Sequence, residues 1–332
     1  MISGYRASGA DLPFGNPVNA HGVAMEGYFW RITDPATGRV VIALIGVQTD
    51  HTGRWALAGL GASDGFWHHE ILPAAEARGR GLGARACGPR GSFFGSDQRV
   101  ALQLGPDAHL DVRLHQLSRW PSWRVFGGSS WFQTIPGLNQ YWHPWLLAGR
   151  ASGAVTVDGT RWEFSRADVY SEKNWGRGGF PESWWWGQSH GFADADACVA
   201  FAGGEVHAGP LRTEVTALVV RLPGGRVVRW GNPGTSPVTA DVGDEHWRLE
   251  GRSLGWSVSV EADAPLATAH VLPVPLVGER RAVPGDIEHL TGNLRVAVRR
   301  WGRTVWCGES ALAGLENGGL DRAARVAASR ER

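Results

Sequence analysis

At 332 residues the chain is long enough for two cores, and 43% hydrophobic against 20% charged residues excludes a disordered chain. A formal net charge of +1 lacks the basic excess of a nucleic-acid binder, and no apolar run approaches the ~20 residues of a membrane-spanning helix. Eighteen tryptophans, 47 glycines and 18 prolines describe a protein of short strands and tight turns, with more large flat rings than core filling requires.

The first 16 residues carry Arg6 and Asp11 where a signal peptide would have an apolar centre. Cys87, Cys198 and Cys307 are odd in number and widely spaced. That pattern fits a reducing compartment, and the cytoplasm is the expected location. Trp67-His68-His69-Glu70 has two adjacent histidines that diverge on a strand, and no second metal-ligand motif accompanies it, so no metal site is expected. Ile71 to Gly91, rich in Ala, Arg and Gly, is expected to be a long loop. Its Gly79-Arg-Gly-Leu-Gly83 lacks the βαβ setting of a nucleotide loop, and no Gly-x-Ser-x-Gly elbow occurs in the chain.

Hairpins then follow in series. Val100–Leu104 and His109–His115 flank Gly105-Pro106, and Ala154–Val157 turns through Asp158-Gly159 into Arg161–Phe164. Leu218–Leu222 returns through Gly224-Gly225 as Arg226–Trp230, and Trp247–Glu250 pairs with Trp256–Glu261. Leu294–Trp301 turns near Gly302 into Thr304–Trp306, and helical periodicity appears only from Leu320 to Arg332. The expected fold is all-β: two antiparallel barrels of about eight strands in tandem, which removes exposed sheet edges, with a short C-terminal helix. The domains are expected at 1–144 and 145–332.

The segment with the most specific pattern is Tyr170-Ser-Glu-Lys-Asn-Trp-Gly176, followed by Phe180-Pro-Glu-Ser-Trp-Trp-Trp-Gly-Gln188. It resembles the signature of the tocopherol cyclase family. Glu26-Gly-Tyr-Phe-Trp-Arg31, Phe93-Phe-Gly95, Trp145-Leu-Leu-Ala-Gly149 and Leu294–Trp301 fit the family in the same order, so the resemblance runs loosely from about Tyr5 to Gly319. It implies a double lipocalin-like (calycin-like) architecture shared with carotenoid hydratases. It also implies a cofactor-independent isomerase chemistry in which a prenyl double bond is protonated and an internal oxygen captures the cation. The implied partner is a hydrophobic small molecule, a prenylated aromatic or a polyene; whether the protein touches a membrane surface to collect it is left open by the sequence.

Such chemistry needs a proton-bearing carboxyl group, an aromatic wall and a dry cavity. Glu172, among Tyr170, Trp175 and Trp184 in sequence, is the first candidate acid, and Glu26 is the second. An ion pair of Glu172 with Lys173 or a nearby arginine, and one of Glu26 with Arg31, are the structural alternatives. Adjacent Glu172 and Lys173 cannot face one pocket if the segment is extended. Alternation places Trp184, Trp186 and Gln188 on one face, with His190 continuing it, and Trp185 and Gly187 on the other. The two indoles are candidates for cation stabilisation, Gln188 for binding the phenolic oxygen and His190 for accepting the released proton. Tyr28 and Tyr170 are candidate donors, Lys173, Asn174 and Trp175 are candidate substrate-binding residues, and Asn174 with Gly176, Gly178 and Gly179 also suggests a bend. A cyclase is the leading reading. A hydratase on the same fold and a non-catalytic carrier of an apolar molecule are the alternatives.

Overall fold

In the computed structural model, residues 17–121 and 127–330 are described. The expected signal-free N-terminus, the Tyr5 end of the resemblance and the last two residues of the helical tail lie outside them. The chain divides into two compact units. The first comprises 1–127, 131–180 and 274–283, and the second comprises 128–130, 181–273 and 284–332.

The first unit carries an eleven-stranded antiparallel sheet. Its strands are β1 (Met25–Asp34), β2 (Arg39–Asp50), β3 (Gly53–Ala62), β4 (Trp67–Leu72), β5 (Ala74–Ala77) and β6 (Gly83–Gly88). They continue with β7 (Gly91–Ser96), β8 (Arg99–Leu104), β9 (Ala108–Arg119), β10 (Tyr141–Val157) and β11 (Thr160–Gly176). Every strand from β1 to β4 and from β5 to β11 pairs with its sequence neighbour, and β1 pairs with β11. The two edge strands, β4 and β5, are separated only by Pro73, which has no N–H to offer a ladder. The sheet thus curls into a nearly closed barrel whose seam sits at that proline.

The second unit repeats the plan with β12 (Trp184–Ser189), β13 (Cys198–Ala208), β14 (Leu211–Arg221), β15 (Val227–Trp230) and β16 (Val238–Val242). After β17 (His246–Ser253), β18 (Trp256–Asp263) and β19 (His270–Leu276) come β20 (Arg281–Arg300), β21 (Arg303–Gly318) and the helix α1 (Leu320–Arg330). First and last strands, β12 and β21, again pair, and the edges β15 and β16 are consecutive in the chain. Strand β19 lies off this path and pairs with β20.

The all-β expectation, the five hairpins and the C-terminal helix are present as read. At the 154–164 hairpin, Asp158 (φ 46°) and Gly159 (φ 71°) both occupy the left-handed region, as a two-residue primed turn requires. Three expectations of the fold fail, the first being strand number: the sheets have eleven and ten strands where about eight each were expected. The domain boundary at 144/145 falls inside β10, because β10 and β11 pair with β9 and β1 and so complete the first sheet; the units part after Phe180. The loop expected over Ile71–Gly91 is instead the end of β4, then β5 and β6. Its weak β-formers are held by backbone ladders while Ala84 and Ala86 fill the narrow interior.

Inside the first barrel, Trp30, Phe93, Trp145 and Trp162 alternate with small residues such as Ala43, Ala58 and Ala151. The second core is built on Phe201, Trp230, Trp247 and Trp306. Six of the eighteen tryptophans, Trp30, Trp145, Trp162, Trp230, Trp247 and Trp306, fill these two cores, and those on the opposite sheet faces carry the functional interest. The 274–283 segment is fastened within the first unit by Arg280, whose guanidinium donates to both carboxylate oxygens of Asp50 at 2.9 and 3.3 Å.

Candidate active site

Register sorts the signature segment cleanly. On β1, Glu26, Tyr28 and Trp30 share a face and stand opposite Trp175, Lys173 and Ser171 of β11. Tyr28 and Trp30 belong to the barrel core, so this is the inner face. Lys173 is fully buried there, 3.2 Å from Glu26 Oε2 and above the rings of Tyr28 (5.3 Å) and Trp175 (5.6 Å). Burial alone would raise the Glu26 carboxyl, but Lys173, His21 (2.8 Å) and the Gly22 N–H (2.6 Å) outweigh it and hold it below the usual value. Glu26 is thus an ion-paired carboxylate. Arg31, five residues on, faces the other way and donates to Thr33 Oγ1 at 2.8 Å, so the expected Glu26–Arg31 pair does not form. Burial, and then the Glu26 charge, push the Tyr28 phenol well above its ordinary value, which keeps it protonated.

Glu172 lies on the opposite face of β11 from Lys173, as strand alternation requires. Its Oε2 accepts from Tyr170 Oη at 2.5 Å and from Trp142 Nε1 at 2.7 Å, in a buried setting. Asn174, partly buried, shares this face, while Trp175 stacks on Tyr141 with ring centres 5.4 Å apart. Asn174 and Gly176 lie within β11, and the bend follows at 177–180.

In the second unit, Trp184, Trp186 and Gln188 share one face of β12, and Trp185 and Gly187 the other, as the alternation predicts. The face bearing Trp184 and Trp186 looks away from the core around Phe201 and Leu315, yet both indoles and Gln188 are buried. Trp186 stands opposite Glu316 of β21, and Glu316 opposite Glu288 of β20. Asp286, two residues earlier on β20, completes a trio whose carboxylate oxygens lie within 4.8 Å of one another. The Trp184 indole lies across Gly318, where any side chain would collide with the ring, and its Nε1 donates to Glu316 Oε2 at 3.2 Å. Two indole rings thereby line a cluster of three carboxyl groups.

Asp286 is 6% exposed. Burial first, then the Glu316 charge, raise its carboxyl well above the ordinary range, and the Ile287 N–H offsets only part of this. Both causes favour its protonated form. Sequence reading missed this trio. The available signal was Gly285-Asp-Ile-Glu288, two acids at strand spacing in an apolar run, with Glu316 set between Leu315 and Asn317. These residues also fit a divalent cation by donor type and spacing.

Two histidines are buried in the same unit. His190 follows the end of β12, and its carbonyl accepts from Ser189 and Ser310, so it is an anchored turn rather than a solvent-facing strand end. His289 points to the other face of β20 from Glu288, edge-on to Trp247 at 5.6 Å. Burial above all lowers its pKa from 6.5 to about 4. The unfolded chain therefore takes up the proton first as pH falls. Stability should drop by roughly 3 kcal/mol between pH 6.5 and about 4, at ~1.4 kcal/mol per unit, and then level off. Urea unfolding across that range should show this slope in the native protein and lose it in His289→Gln.

The two antiparallel barrels and the buried carboxyl cluster define a lipocalin-like β protein. The chain belongs to the tocopherol cyclase-like family, whose profile matches residues 107–319. It is 31% identical over 203 residues to a probable chloroplastic tocopherol cyclase of Oryza sativa subsp. japonica, covering 58% of this chain and 42% of that one. It is 30% identical over 225 residues to a chloroplastic tocopherol cyclase of Zea mays, covering 63% and 44%. The chain thus spans less than half the length of these curated relatives. Among solved structures, CghA with Sch210972 aligns with a TM-score of 0.61 at 11% identity, over 90% of this chain and 88% of that one. Kievitone hydratase from Nectria haematococca aligns at 0.54 and 11%, over 90% and 89%. At such identity these two share the fold.

Proposed function

We propose that the protein is an acid catalyst that cyclises a prenylated or polyene substrate, with Asp286 as the proton donor. The observation that carries this reading is the buried Asp286 carboxyl grouped with Glu288 and Glu316, the last of which accepts from the Trp184 indole and stands opposite Trp186. Asp286 transfers its proton to one alkene carbon and becomes a carboxylate. The positive charge forms on the more substituted carbon, where each indole face is worth about 0.5–2 kcal/mol. A hydroxyl of the same substrate attacks that carbon, a C–O bond forms, and the hydroxyl proton returns to the carboxylate. The product is an isomer, and the acid is restored. Gln188 and His190 extend the same stretch of chain toward a substrate oxygen. Glu172, with Tyr170 and Trp142 donating to it, is the second candidate acid, in the first unit.

Incubation with prenylated quinols and linear polyenes, followed by product mass, tests the reading. An isomeric product supports cyclisation. A gain of one water would replace the internal nucleophile by solvent, as in a hydratase, and recovery of unchanged ligand would leave only binding. Glu172→Gln should retain most of the turnover; its complete loss would move the acid from Asp286 to Glu172.

A further inference from the structure

Five large apolar side chains are exposed among the described residues; Phe94 and Leu320 lie apart, and the three most exposed are grouped. Leu254 is 88% exposed, Trp301 69% and Val305 47%, and all three sit at the β17–β18 and β20–β21 hairpin ends. The two tips are tied together, since the Trp301 N–H donates to the Gly255 carbonyl at 2.8 Å and the Trp301 ring lies over Gly255. Trp301 adopts φ 50°, a left-handed conformation that favours Asn or Gly and costs a bulky residue most. Folding alone does not explain an indole held outward in a strained turn.

The tips are ringed by arginines. Arg252, Ser257 and Arg299 form one register row across β17, β18 and β20, pointing to one face. Arg300 and Arg303 pair on the other, and the Arg300 and Arg226 guanidiniums lie over Trp256 at 5.5 and 4.6 Å. Of these, only Arg252 has a carboxylate partner among the described residues, Glu250 at 3.2 Å. A protein of formal charge +1 thus concentrates unneutralised positive charge around its most exposed apolar side chains.

We propose that this end of the second unit docks on an anionic lipid bilayer, with Leu254 and Trp301 entering the interface and the arginines at the phosphate level. Protruding tips rather than a flat apolar face suit lipid better than a folded protein partner, and the charge complements anionic headgroups. Docking there would give the second unit direct access to a membrane-dissolved substrate.

Flotation of the full chain with phosphatidylcholine vesicles, with and without one-third phosphatidylglycerol, is the test. We expect at least tenfold stronger partitioning to the anionic vesicles, and most of it lost when salt rises from about 0.1 M to about 1 M. Leu254→Ser with Trp301→Asn should reduce partitioning at least tenfold without lowering thermal stability, because Asn suits the turn. Arg299→Glu with Arg300→Glu should do the same. Equal partitioning to both vesicle types, or unchanged binding by either double variant, would overturn the proposal. So would self-association that the tip variants abolish while vesicles bind nothing.

Discussion

Replacing Asp286 with asparagine should lower turnover by about 10²–10⁴-fold, the usual contribution of a positioned general acid, while making the protein more stable at neutral pH. The two effects have one cause. A carboxyl group whose pKa is raised in the folded state keeps a proton that the unfolded chain releases above its ordinary value of 3.8, so stability falls as pH climbs from there through the raised value. Asparagine keeps the shape and removes that cost. The same titration predicts that activity declines on the alkaline side as Asp286 ionises. Steady-state assays across pH, with chemical denaturation of both proteins, check the pair of outcomes. Full activity in Asp286→Asn would remove this residue from the chemistry.

The second large effect is on the fold. Glu26→Gln leaves Lys173 a fully buried cation without its carboxylate, and should destabilise the protein by about 3–5 kcal/mol. Burial already lowers the Lys173 pKa, and Glu26 supplies the opposing attraction. Replacing both, as Glu26→Leu with Lys173→Met, should recover most of the loss, since two matched apolar groups carry no desolvation cost. The sign with pH follows from the depressed Glu26 carboxyl: its stabilisation is present above the ordinary 4.5 and disappears as pH falls through the folded value. Urea unfolding at neutral and acidic pH, for the native chain and both variants, measures all of this.

Fold and site were legible in the sequence to different depths. Alternation and paired turn residues identified the hairpins and the shared face of Trp184, Trp186 and Gln188, because both depend on local backbone geometry. Strand pairing between distant segments left no local mark. Nothing in Tyr141–Val157 announces that it belongs with β9 rather than with a new barrel, and so the division at 144/145 was misplaced. The same limit hid the acid cluster. Asp286 and Glu316 lie 30 positions apart, and only the β20–β21 register brings their charges close enough to shift a proton. Glu26 and Lys173 are likewise joined by the β1–β11 pairing, which no spacing rule connects. The resemblance gave prominence to Glu172, which accepts hydrogen bonds from Trp142 and Tyr170.

Each meander is sealed by its first and last strands and left open between two consecutive ones, at Pro73 in one unit and between Trp230 and Val238 in the other. Added or deleted hairpins at such an opening change the girth of the ring without shifting the register of any existing pair. Barrel width grows with strand number, so the interior can be widened or narrowed while the strand pairs already formed stay fixed.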